Sequence, residues 1–371
     1  GTYTDSNGKG LFKYQPPAGY LALCEDNLPT PAIADPGEHF KTVLWTGDGN
    51  GGRSITGVGF KPDFVWLKKR NDTPSHNWTD SVRGIGYTLF SDDTSADNTN
   101  TDRLQSFDND GFTVGNHTAV NNSGDTFVAW CWKAGGPAVS NSDGSINSSV
   151  SANQTAGFSI VSYTGNETDN ATVGHGLGKV PDVIFVKNRS GSVSWGVWHS
   201  SLTSGQVLRL DQTTQAQTPA TAYFQDENNT SSVFALGTND ETNDSDGDTY
   251  IAYCWTEIEG YSKFGSWNGN GSADGPFVYC GFKPAFILTK RTDSATNGNW
   301  TLFDSSRSST NPVGTHLRAD TTAAELNFGT GIDILSNGFK MREAASALNN
   351  GSGTYIFMAF AESPFQTANA K

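Results

Sequence analysis

The 371 residues carry 38 Asp and Glu against 24 Lys and Arg, a formal charge of -14. A polyanion such as a nucleic-acid backbone is repelled by that excess rather than bound, and no run approaches the roughly 18 to 20 consecutive apolar residues that insert in a membrane as a helix. Only 17% of residues are charged, Gly numbers 42, and 12% are aromatic with 10 Trp, the chemistry of turns and aromatic cores rather than of a disordered chain.

The chain opens Gly1-Thr2-Tyr3-Thr4, without an initiator Met or a charged-then-apolar leader, and reads as a processed product or part of something longer. Residues 1–39 contain Pro16, Pro17, Pro29, Pro31 and Pro36, which limit helix and central strand. With too few apolar residues for a core, this segment is expected to run extended over the body or a neighbouring subunit, anchored by Phe12, Tyr14, Tyr20 and Leu23.

From residue 40 onward the chain says nearly the same thing three times. Gly59-Phe60-Lys61-Pro62-Asp63-Phe64-Val65-Trp66-Leu67-Lys68 returns as Gly178-Lys179-Val180-Pro181-Asp182-Val183-Ile184-Phe185-Val186-Lys187, and again as Gly281-Phe282-Lys283-Pro284-Ala285-Phe286-Ile287-Leu288-Thr289-Lys290. A period near a hundred residues is that of a domain-sized repeat. Each unit opens with a strand running into a turn, at Val43-Leu44-Trp45-Thr46-Gly47, Val161-Ser162-Tyr163-Thr164-Gly165 and Phe264-Gly265-Ser266-Trp267-Asn268-Gly269. A Trp segment follows the Pro-led strand: Asn77 to Arg83 in the first unit, Asn299 to Arg307 in the third, and only Trp195-Gly196-Val197-Trp198-His199 in the second. Each closes on an apolar strand, Thr126 to Trp132, Thr249 to Trp255 and Thr354 to Phe360.

The expected fold is all-β: an extended segment over 1–39, then three tandem antiparallel β-sandwich units at 40–138, 139–261 and 262–371. In the strand from Asp63 to Lys69 the alternating sets Phe64/Trp66 and Val65/Leu67 are both apolar, so the strand is covered on both faces. Pro62, Pro181 and Pro284 stand at the first strand position, where a missing donor costs least. Helix is nearly absent, its best candidate being Thr322 to Glu325. Cys131 and Cys254 occupy the position of Ala359 and read as buried free thiols; Cys24 with Cys280 is the least implausible bridge.

At these motifs the chain resembles uncharacterised repeat modules of marine bacteriophage structural proteins, tail-fibre-like or exposed on the virion surface and often associated with a SPRY-type sandwich. The matching strings are the run from Leu11 to Pro31, the block from Gly59 to Arg70 and the closing Ala359-Phe360-Ala361-Glu362-Ser363-Pro364-Phe365. The resemblance implies a location on the outside of a virion and a role in structure or attachment, with no catalytic residues to carry over.

Chemistry has to be weighed on the residues themselves. The six histidines show no metal-ligand spacing, and no nucleophile elbow is present. Acid pairs of the glycosidase kind would be Asp80 with Asp63 or Asp304 with Glu325. Because Asp80 and Asp304 each precede an Arg by three residues, Arg83 and Arg307, the blander reading is a structural brace. Asp244, Asp246 and Asp248 alternate as calcium ligands do, but Trp255 stands where an EF-hand has its bidentate Glu, and an acidic turn is the competing reading. Trp195, Trp198 and Trp267 are candidate sugar-stacking faces; for Trp78 and Trp300 a core role is the preferred reading. The expected protein is a non-enzymatic virion-surface adhesin or tail fibre, homo-oligomeric and binding a host-surface glycan. Alternatives are a self-assembling capsid-decorating or filament protein and a secreted polysaccharide-binding module or hydrolase.

Overall fold

Alternation along each Pro-led strand decides the architecture. The computed structural model describes residues 1–27, 31–218, 222–244 and 247–363. Strands Phe64–Lys69 and Val183–Asn188 are buried at every position, so each must be roofed twice. Phe64 and Trp66 turn to one side with Trp78, Trp130 and Trp132, while Val65 and Leu67 turn to the other with Phe112, Phe127 and Cys131.

The chain is all-β, with antiparallel pairing in every sheet. Each unit sets its strands in the same order. In the first the principal sheet runs Phe40–Thr46, Thr126–Trp132, Phe64–Lys69, Asn77–Asp80. The second runs Phe158–Thr164, Thr249–Trp255, Val183–Asn188, Gly196–His199, with Val139–Asn141 and Ser148–Asn153 added on one edge and Leu208–Arg209 on the other. The third runs Ser262–Asn268, Thr354–Ser363, Lys283–Arg291, Thr301–Asp304 and continues through Val313–Arg318 and Leu326–Leu335 into its outer layer. Registers coincide: Phe64 faces Trp132, Val183 faces Trp255, and Phe286 faces Phe360. Pro62 and Pro181 precede their strands, whereas Pro284 lies inside its strand beside a register shift.

A smaller outer layer completes each sandwich. It is formed by Arg53–Thr56, Gly111–Val114 and Leu104–Asp108 in the first unit, Ala171–Gly174 and Val233–Leu236 in the second, and Phe277–Tyr279, Gly338–Met341 and Leu326–Leu335 in the third. Every unit therefore has an outer core of its own. The inner faces do not each have one. They meet in a single central core to which all three units contribute. Trp78 of the first unit lies 4.8 Å from Trp195 and 5.2 Å from Tyr253 of the second. Trp132 reaches Trp255 at 6.4 Å and Phe286 at 5.6 Å, and Phe185 meets Trp300 at 6.0 Å. The sandwiches are arranged around a common interior rather than strung in series.

Several local expectations change. Thr322 to Glu325 is not helical; Glu325 instead forms an ion pair with Arg70 at 2.8 Å and takes its backbone register from the Arg70 carbonyl, which holds the segment extended. Among the described residues the α-helical turns are Thr118–Asn121 and Ser346–Asn349. Their buried Asn121 and Asn349 each bond back to the turn after the opening strand, at Asp48 and Asn270. All four cysteines are free, with Cys131 and Cys254 buried in separate outer cores.

The N-terminal segment is not laid over the sandwiches by its aromatic residues. Tyr14, Tyr20 and Leu23 are exposed, and Phe12 is half-buried in a bridge to Tyr3. The reason is local. The Asp5 carboxylate accepts from the backbone of Asn7, Lys9 and Ala22 and from the Asn27 amide at 2.6 to 2.9 Å, folding the segment upon itself. Its apolar hold on the body is Ile33, which enters the central core.

A unit cut free would expose the indoles of its inner face. Residues 40–138 expressed alone should fail to give a cooperative thermal transition, while the full chain should unfold in one. A stable, cooperatively melting fragment would contradict the shared core.

Candidate functional site

The acids that could have formed a catalytic pair are instead tied into the seams between units. Asp80 ends its strand with both oxygens engaged: Oδ1 accepts from the backbone of Val82 and Arg83, and Oδ2 from Arg83 Nε at 2.6 Å and the Tyr253 hydroxyl at 2.7 Å. Arg83 and Asp80 are fully buried. Asp304 repeats the arrangement with Arg307 Nε at 2.5 Å and Trp130 Nε1 at 3.1 Å. Their proposed companions are occupied too. Asp63 accepts from Ser81 Oγ and the Ala134 backbone, and burial raises its pKa. Glu325 accepts from Arg70 and Arg307.

Why the second unit abandons the Asp becomes clear from its partner. Tyr253 and Trp130 hold equivalent places in the closing strands, and Met358 holds the third. A thioether has no hydrogen to donate, so an acceptor facing it would stand unsatisfied. His199 sits there instead. Its Nδ1 accepts from the Ser201 backbone at 3.0 Å, leaving Nε2–H to donate to the Phe357 carbonyl at 3.1 Å. The contacts run from first unit to second, second to third, and third to first.

A second ring closes in the opposite sense. Trp195 Nε1 donates to the Phe90 carbonyl at 2.9 Å, Trp300 Nε1 to Arg209 at 2.8 Å, and His76 Nε2 to Arg318 at 3.0 Å. Three wholly buried lysines, Lys68, Lys187 and Lys290, form a third. Each ammonium donates to carbonyls of its own unit and to one of the preceding unit, at Thr322, Thr94 and Gln212 respectively. Burial draws all three lysines down to about 8. These lysines end the repeated Pro-led motif, so their recurrence was visible in the sequence, but nothing there says that a strand-end Lys points inward.

The expected stacking faces are not faces at all. Trp195 lies inside the central core, Trp198 in the second unit's outer core, and Trp267 in the third's, with its Nε1 on the Leu348 carbonyl. Burial of both ring faces removes them as sugar platforms. Of the acidic turn, Asp246 lies outside the described residues. Asp248 accepts from the Asn188 amide at 2.8 Å, and the Asp244 backbone bonds the Tyr250 hydroxyl. Among the described residues no group of three His, Cys, Asp or Glu side chains is disposed to hold a metal.

Two repeat-equivalent clefts open to solvent, each between the start of the Pro-led strand and the outer-layer hairpin. One, of about 930 Å³, is lined by Lys61, Ser81 and Phe107 with Lys133 and Asn153. The other, of about 560 Å³, is lined by the matching Lys283, Ser305 and Ile334 together with Ser308, Thr310 and Asn337. Both volumes suit small-ligand recognition, and the linings mix hydroxyl, amide and ammonium groups with apolar side chains and, in the larger cleft, the Asp63 carboxylate.

Fold and clefts together define an all-β body of three fused sandwich repeats closed on a common core. The chain belongs to the family described as Domain of unknown function (DUF7483), which matches residues 35–364 and so takes in all three repeats. No curated protein and no solved structure matches it.

Two outcomes test the seams. Tyr253→Phe, which removes the hydroxyl that donates to the Asp80 carboxylate and accepts from Arg83 Nη2, should lower the unfolding free energy by about 2 kcal/mol in denaturant titration. Acid should act through the histidines. His76 Nδ1 accepts from Trp66 Nε1 as His199 Nδ1 accepts from Ser201, and burial holds His76 well below its ordinary pKa and His199 at about 4. Below pH 6.5 the unfolded chain takes up protons that the folded chain refuses, so stability falls as pH falls, by up to ~1.4 kcal/mol per pH unit for each histidine. Asp63, Asp92 and Asp320, raised by burial, the last to about 6, act in the opposite sense lower down. The slope is therefore to be read between about pH 7 and 6, where His199→Gln should reduce it by one histidine's share, since burial also lowers His39, His117, His175 and His316.

Proposed function

We propose that this protein is a non-enzymatic binding body displayed on the outside of a phage particle, of tail-fibre or adhesin type, that recognises host-surface glycan. The observation that carries the reading is the fate of the acids. Asp80, Asp304 and Glu325 spend their oxygens on structural donors, and Asp63, which borders the larger cleft, accepts from Ser81 and the Ala134 backbone, while both clefts also offer hydroxyl, amide and ammonium groups that suit sugar hydroxyls. A formal charge of -14 disfavours nucleic acid as partner. Modest affinity per site suffices when many copies stand on one particle.

Self-association is the second reading, favoured by one feature. Leu11, Tyr14, Tyr20 and Leu23 expose apolar surface close together in sequence on the N-terminal segment, outside the residues the family matches, as a contact with another chain would require. Capsid decoration and filament growth belong to this reading.

Incubation with host-surface polysaccharide should release no reducing ends, and the chain should be retained on intact cells. Cleavage abolished by Asp80→Asn or Asp304→Asn would overturn the non-enzymatic reading. Absence of retention together with oligomers that dissolve on deleting residues 1–34 would transfer the function to assembly.

A further inference from the structure

The three repeats act as an internal control on one another, and the control fails at one exposed place. In the outer layer Ile55, Val173 and Val278 occupy the same inward position, paired with Phe112, Phe234 and Phe339. Of the residues on either side, Ser54 and Thr56 of the first unit face solvent, whereas in the second Thr172 is half-buried and Gly174 is buried against Asn141. In the third they are Phe277 and Tyr279, 44% and 53% exposed. No requirement of the repeat puts aromatic rings there.

We propose that Phe277 and Tyr279 form the aromatic floor of a glycan site on the third unit, for a neutral hexose or N-acetylhexosamine chain. The proposal rests on the adhesin reading above and says where the sugar sits. Residues two apart on a strand present their rings on one face about 7 Å apart, enough to underlie one or two pyranose rings by their apolar faces. Across the strand pair Tyr279 faces Gly338, so no side chain crowds that ring from the neighbouring strand. The Tyr279 strand ends at the hairpin turn of the polar cleft: the Cys280 and Gly281 backbones donate to the Asn337 carbonyl, and Asn337 lines the cleft with Ser308 and Thr310. The strand that carries the rings thus leads into the turn that borders that cleft.

Size and charge select the occupant. Two half-exposed rings fall far short of the roughly 800 Å² per partner that a stable protein interface needs. The rim is charge-balanced, with Lys340 paired to Asp274 at 2.8 Å and Arg342 to Asp333 at 3.4 Å, and the chain as a whole is strongly negative. An uncharged ligand fits both facts better than an anionic one.

The test grafts the first unit's residues into the third. Phe277→Ser with Tyr279→Thr installs side chains that the same strand position already carries elsewhere in this protein, so thermal stability should not change. Calorimetric titration of the full chain with cellohexaose, maltohexaose and the hexamer of N-acetylglucosamine should show binding to at least one. The double variant should lose at least tenfold in that affinity, and Tyr279→Thr alone a large part of it. Undiminished binding by the double variant would overturn the site and leave the adhesin reading standing. Wild-type protein that is retained on cells yet binds none of the three sugars would overturn the ligand class. Loss of self-association in the double variant, seen by sedimentation, would overturn the sugar in favour of a second copy.

Discussion

Each principal sheet is apolar on both faces, and that one constraint governs the rest of the molecule. A small outer layer covers one face. For the other, the chain supplies no second outer layer; it supplies two more sheets of the same kind. Trp66, Trp78, Trp130, Trp132, Trp195, Trp255 and Trp300 all reach the common interior, and rings of this size bury on the order of 150 to 250 Å² each. At roughly 25 cal/mol per Å² the central core outweighs any single seam contact, so the repeats are bound to one another more by what they hide jointly than by what they exchange.

An interior of indoles still contains strand ends, and these have to be satisfied where they lie. The seams do this with side chains chosen against their partners rather than against the repeat. Asp meets a hydroxyl at Tyr253 and an indole at Trp130; a neutral imidazole turns to a backbone carbonyl beside Met358. Residues 199 and 358 are far apart in the chain, and one answers the other. The caged lysines extend the same logic, since an ammonium has three hydrogens and the strand ends offer a surplus of carbonyl oxygens.

Much of the fold was legible because periodicity reports burial. Two apolar faces on Phe64 to Leu67 meant two roofs, and the repeat meant that the roofs recur. What alternation does not report is which surface forms the roof, and a core shared between units has the same sequence pattern as a core within one. Trp195 and Trp198 stand out as a sugar platform because that stretch breaks the pattern. The break is real, but its cause is His199 and a methionine on another strand. Phe277 and Tyr279 do not stand out in the sequence because their departure is visible only when Val278 has been matched to Ile55, and such short strands are aligned by their pairing rather than by their residues. The N-terminal aromatics misled for a different reason: proline content argues against regular structure, not for contact with the body.

Three similar chains could build a body of this shape by associating, and their union would then depend on how many were present. Here the members share one backbone. The ring Asp80 to Tyr253, His199 to Phe357, Asp304 to Trp130 closes at any dilution, down to a single molecule, because the local concentration of each partner is set by a tether instead of by the surroundings. Covalent linkage also frees the members from being alike. A homotrimer must carry every substitution three times over; this chain can harden one corner, open a cleft on another and set two aromatic rings on the third without asking the same of the rest.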